Sequence, residues 1–128
     1  MNVKIDTKEK FIVLTPQETI FSANMTEDME KLADYRTNLV PHLVINMSQV
    51  KEISVEPAKV LADIQQRFYE RYQSFVICCL QPAVEAVFEQ EELIEVMNIT
   101  PTESEAWDIV QMEEIERELM GDFEKDGQ

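Results

Sequence analysis

A chain of 128 residues, 45% of them hydrophobic, suits a single domain and can bury about two-thirds of its unfolded surface without staples. Its 26 acidic against 11 basic residues leave a formal net charge of −15. That charge argues against nucleic acid or an anionic membrane surface as partner and favours a protein with a basic patch. The amino-terminal MNVKIDTKEK has no apolar signal region and no apolar run is long enough to span a bilayer, so no membrane insertion and a cytoplasmic location are expected.

Val3 and Ile5 alternate with polar neighbours, and Phe11 to Leu14 is a second β-like run. The polar Thr7-Lys8-Glu9-Lys10 between them predicts a hairpin. Pro16 ends or bends the second strand, and residues 16–23 lead to a helix. Asn24 or Thr26 is the expected cap of that helix, Glu27 and Asp28 suit its first turn, and Met29, Leu32, Ala33 and Leu39 form its inner face. Pro41 stops it. His42, the one histidine, stands beside that proline and is expected in a surface loop.

Leu43, Val44, Ile45 and Met47 form a short apolar run of the kind covered on both faces of a sheet. A polar segment follows, and Pro57 suits the first turn of a helix whose inner face is Ala58, Leu61, Ile64 or Gln65, Phe68 and Tyr72. In a parallel α/β sheet this strand-to-helix junction lies at the carboxyl end of a strand, where function usually sits. Phe75 to Leu80, FVICCL, reads as a central strand. Its adjacent Cys78 and Cys79 point to opposite faces of a strand, which predicts two buried thiols rather than a disulfide, and a reducing compartment. Pro82 opens a short helix with Val84, Val87 and Phe88 inward, and Ile94, Val96, Met97 and Ile99 make a last strand. Thr102, three residues before Glu105, caps a final helix. Its broad apolar face holds Ala106, Ile109, Val110, Met112, Leu119 and Met120; Glu116 interrupts that face and Ile115 lies at its margin. Gly121 is the expected stop, which divides the chain into a domain over residues 1–121 and a frayed acidic tail over 122–128.

From Leu43 onward strand and helix alternate, which predicts an α/β fold with a mixed, mostly parallel sheet of about five strands and helices packed against it. Two glycines, Gly121 and Gly127, both late in the chain, exclude glycine-rich phosphate loops. With one histidine and no cysteine pair at ligand spacing, no metal and no cofactor are expected.

The order of elements, together with LVINMSQVKEISVEP at its centre, resembles the STAS domain, the fold of bacterial anti-sigma-factor antagonists and of the cytoplasmic domains of sulfate transporters. That family reads as an apolar strand, Asp-x-Ser-x-Val, an apolar residue, Asp-Ser-Ser-Gly and a helix. Here Ser48 and Val50 match, while Asn46 replaces the first acid. Ser54-Val55-Glu56-Pro57 stands where the family has Asp-Ser-Ser-Gly, so Val55 takes the place of the serine that a partner kinase phosphorylates. Glu56 then sets a permanent charge beside it. Ser54 becomes the phosphate acceptor only under a shifted register.

Ser48 and Ser54 have no histidine nearby in sequence to activate them; the simpler roles are a strand end for Ser48 and a helix cap for Ser54. The ten acids after Pro101, against Arg117 and Lys125, are a solubilising face or a docking surface for a basic partner. The resemblance implies a non-enzymatic protein-interaction module in bacterial transcription or signalling, with an anti-sigma factor or a serine kinase as partner. The expected contact surface is Lys51, Glu52, Ser54, Val55 and Glu56. A homodimer stays open. The alternative is a small-molecule- or nucleotide-binding domain using the cleft at the strands' carboxyl ends.

Overall fold

The computed structural model describes residues 1–36 and 40–126. In chain order the elements are β1 (Val3–Thr7), β2 (Phe11–Pro16), β3 (Ile20–Phe21), a 3-10 turn (Ala23–Met25), α1 (Thr26–Arg36), β4 (His42–Asn46), β5 (Glu52–Ile53), α2 (Val55–Glu70), β6 (Phe75–Cys78), α3 (Pro82–Gln90), β7 (Ile99–Thr100) and α4 (Glu103–Asp126). The main sheet runs β1-β2-β4-β6-β7. β1 pairs antiparallel with β2 and the other neighbours are parallel, so the predicted mixed α/β architecture holds.

The parallel register explains why the central strands are apolar on both faces. Ile12, Leu43 and Phe75 lie in one row, Val13, Val44 and Val76 in the next, and Leu14, Ile45 and Ile77 in the third. Side chains alternate along a strand. The first and third rows therefore face a core shared with Met29 and Ala33 of α1, Leu61, Ile64 and Phe68 of α2, and Val84 and Phe88 of α3. The valine row, with Phe11 and Cys78, faces Ala106 and Val110 of α4. Three helices thus cover one face and α4 covers the other. β1 is an edge strand whose outward Lys4 and Asp6 discourage further pairing.

Several expectations are corrected. His42 is no loop residue: it begins β4 and is 4% exposed. Its Nδ1 accepts the Ser74 N–H at 2.9 Å, and its Nε2 lies 3.1 Å from Glu114. A backbone N–H can only donate, so Nδ1 is the acceptor and Nε2 carries the proton of the neutral ring. Tyr72 is 78% exposed and lies beyond α2 at φ 59°, where it reverses the chain so that the Gln73 N–H reaches the Phe68 carbonyl at 2.8 Å. α2 begins at Val55, which keeps Pro57 in its first turn as expected. Residues 94–97 turn rather than extend, and the last strand is only Ile99–Thr100. Thr26 is the first residue of α1, and its hydroxyl donates to the Ala23 carbonyl instead of capping. Leu39 falls outside the described residues.

The final helix departs most. Thr102 does cap it, accepting the Glu105 N–H at 3.2 Å. Met112, Ile115 and Leu119, however, are more than half exposed. The inner side of the helix past Val110 is taken by Glu113, Glu114 and Arg117, which bond Tyr69, His42 and Ser74, and these three project from the opposite side. Met120, equally exposed, lies beyond Arg117. The backbone stays helical past Gly121 to Asp126; a glycine costs a helix only about 1 kcal/mol and does not by itself stop one.

Candidate functional site: the Lys51–Glu56 loop

The loop after β4 is fastened from both sides. Met47 and Val50 are fully buried, and the Met47 N–H reaches the Cys78 carbonyl at 2.9 Å while the Val50 N–H reaches Met47 at 3.0 Å. The N–H groups of Lys51 and Glu52 both donate to the Thr19 carbonyl, and that of Ser54 to Phe21 at 3.1 Å. This is the small parallel β3–β5 ladder, which pairs Ile20 with Glu52 and Phe21 with Ile53. Phe21 and Ile53 turn inward, which leaves Glu52 and Ser54 facing out. Pro57 and Ala58, both buried, seat the first turn of α2.

All five side chains singled out from the sequence, Lys51, Glu52, Ser54, Val55 and Glu56, come together here and are exposed. Val55 is 42% exposed, and Ile20, opposite Glu52, is 50% exposed. Ile20 was missed because a two-residue strand is too short to show a period. Its signal was the Ile20-Phe21 apolar pair within an otherwise polar connection. Ser54 occupies the N-cap position of α2, but its hydroxyl makes no capping hydrogen bond. Glu56 lies in the helix's first turn, where the positive end of the helix dipole favours a carboxylate.

Asn46 shows why the acid of the usual motif is replaced. Its amide accepts the Ser48 N–H at 2.9 Å and donates to Glu103 Oε1 at 3.1 Å. A carboxylate could do only the first and would oppose Glu103. Ser48 itself lies in the turn beyond β4, two residues past the strand's end, rather than ending it.

Among the described residues, no histidine stands beside Ser48 or Ser54. His42 lies at the amino end of β4 and the serines beyond its carboxyl end, with the whole strand, about 13 Å at 3.3 Å per residue, between them. Cys78 and Cys79 are free thiols; burial pushes the Cys78 thiol far up, and so keeps it protonated and unreactive. Among the described residues no group of three or more His, Cys, Asp or Glu could hold a metal, and no helix is long and apolar enough to cross a membrane. Two open cavities lie near the strands' carboxyl ends. One, of about 300 Å³, is lined by Lys4, Thr15, Asn46, Ser48 and Glu103; the other, of about 350 Å³, by Leu80, Ile94, Met97 and Thr100.

A mixed five-stranded sheet with helices on both faces, and a loop of exposed side chains between β4 and α2, defines an α/β domain of the STAS type. Residues 2–106 match the STAS domain family, and the chain belongs to that family. Among solved structures, it is similar to a candidate anti-sigma factor antagonist from Thermotoga maritima, with TM-score 0.77 and 17% identity over 85% of this chain and 94% of that one. RsbS of Moorella thermoacetica carrying a serine-to-glutamate substitution matches with TM-score 0.71 and 20% identity, over 87% and 96% of the two chains. An anti-sigma factor antagonist from Mycobacterium paratuberculosis matches with TM-score 0.71 and 18% identity, over 86% and 93%. No curated protein matches the sequence.

Proposed function

We propose that this STAS domain is a non-enzymatic interaction module of the anti-sigma-factor-antagonist type, working in the cytoplasm without the usual phosphoserine switch. The observation that carries the reading is the composition of the loop surface. Exposed Ile20 and Val55 provide an apolar centre, and Lys51, Glu52 and Glu56 provide a charged rim, on a backbone already held by hydrogen bonds. That division of labour is the one protein interfaces use. A fixed backbone also lowers the entropy lost on binding.

Val55 stands at the position where the family carries its phosphate acceptor, and valine has no hydroxyl. The surface is therefore constitutive, and the fixed charge of Glu56 selects its partner, an anti-sigma factor or a serine kinase of that system. Incubation with ATP and an anti-sigma-type serine kinase, followed by mass mapping, tests the absence of the switch. The expected result is no stoichiometric phosphate. Full modification of Ser54, whose hydroxyl is exposed and makes no capping bond, would restore the switch and refute the assignment. The small-molecule alternative would use the two open cavities, which are at the small end of the range for ligand pockets.

A further inference from the structure

α4 is 24 residues long, roughly 36 Å at 1.5 Å per residue, but only part of it lies on the sheet. Ala106 and Val110 are buried; the last side chain tying the helix down is Arg117, which donates to the Ser74 hydroxyl at 2.9 Å. Along the outer side Met112, Ile115 and Leu119 recur at spacings of three and four, the spacing of one helix face, and are 58%, 56% and 65% exposed. Ile115 also lines a groove of about 540 Å³ between α4 and the β1–β2 turn, with Phe11, Trp107 and Val110 as its other apolar walls and Glu114 and Glu118 among its polar ones. Ile115 thus belongs to both the groove and the stripe and joins the two.

The charge around this surface selects what can cover it. The helix carries ten acids and two bases over residues 103–126. Glu114 is held by Lys10 and His42, and Glu113 by Arg117 at 4.0 Å. Glu105, Asp108, Glu116 and Glu118 make no ion pair among the described residues. The two lysines in the groove are already engaged: Lys8 pairs with Asp6 at 3.1 Å and lies over the Trp107 ring, and Lys10 pairs with Glu114. A second copy would bring two such acidic helices together, and like charges in contact oppose association. We infer that the outer face of α4 is a second docking surface, separate from the Lys51–Glu56 loop, and that its occupant is a basic amphipathic helix of a protein partner. The apolar face of that helix would cover Met112, Ile115 and Leu119, while its lysines and arginines would meet the unpaired carboxylates. The sheet separates the two surfaces, since α2 packs on its other face.

Trp107 is the one tryptophan in the chain and lines the groove, so its fluorescence reports occupation directly. The full chain is titrated with an 18-residue peptide of leucine and lysine in helical periodicity, and with the same residues scrambled. The periodic peptide should shift Trp107 emission to the blue and saturate, with affinity falling at least tenfold between 50 and 300 mM salt as surface charge is screened. Ile115→Gln with Leu119→Gln changes only exposed side chains, and urea unfolding checks that the fold is kept; this variant should bind at least tenfold more weakly. Glu56→Lys, at the other surface, should bind as the unchanged protein does. Equal binding of the scrambled peptide, or of the double variant, would overturn the inference. So would sedimentation of the unchanged protein as a dimer that Ile115→Gln dissociates, since the occupant would then be a second copy.

Discussion

Replacing His42 with leucine tests the buried environment of this ring. Two groups lose their partner. The Ser74 N–H is fully buried and its acceptor disappears with the imidazole, which costs about 1–3 kcal/mol for an unsatisfied buried donor. The hydrogen bond from Nε2 to Glu114 is also lost. Bonds to charged groups contribute about 1.5–3 kcal/mol. Glu114 is partly exposed and keeps Lys10, so only the lower end applies. Leucine recovers part of the total by apolar burial, leaving a net loss of about 2–4 kcal/mol, a large share of a typical domain's stability. Urea unfolding at pH 7, with an unchanged slope, measures it. A loss under about 0.5 kcal/mol, the size of an ordinary surface change, would refute the buried placement. The pH dependence gives a second readout. Burial, helped by the nearby Arg117 charge, holds the imidazole below its usual value and outweighs the raising effect of the Glu114 hydrogen bond. The unfolded chain therefore takes up this proton first, so stability falls as pH drops below about 6.5 toward the lower folded value. His42→Leu should lack that part of the decline. Glu114, held below the usual carboxylate range chiefly by its hydrogen bond to Lys10, loses its contribution in a separate window below about pH 4.5.

Glu56→Lys should weaken binding of a confirmed partner while costing under about 1 kcal/mol of stability, mostly the lost interaction with the helix dipole; isothermal titration with unchanged affinity would move the contact surface elsewhere. Tyr72→Gly should raise stability by about 0.5–1 kcal/mol in urea unfolding, because a mostly exposed side chain is given up in exchange for a residue at ease at φ 59°. A loss of several kcal/mol would instead show that Tyr72 is part of the core. Thr102→Ala should cost about 1 kcal/mol through the lost cap on Glu105, and circular dichroism should show a shorter α4 at raised temperature.

What the sequence by itself determined about this protein is set by local physics. The apolar runs Leu43 to Met47 and Phe75 to Leu80 mark strands buried on both faces, because only a sheet covered from both sides can bury every side chain of a strand, although the strands themselves end at Asn46 and Cys78. The three- and four-residue spacing of Ala58, Leu61, Ile64 and Phe68 marks α2, and the pairing of Thr102 with Glu105 marks the start of α4. The loop residues were legible because a polar stretch between a strand and a helix has few other places to go. The tertiary structure alone decided the rest, where the outcome depends on a distant partner. His42 is buried because Ser74 and Glu114 offer it hydrogen bonds from 32 and 72 residues away. β3 and β5 exist only through one another, since two residues form no strand without a neighbour to bond. Met112, Ile115 and Leu119 have the spacing of a core face yet are left exposed, because the inner side of α4 beyond Val110 is held instead by bonds of Glu113, Glu114 and Arg117 to Tyr69, His42 and Ser74, distant partners that periodicity does not show.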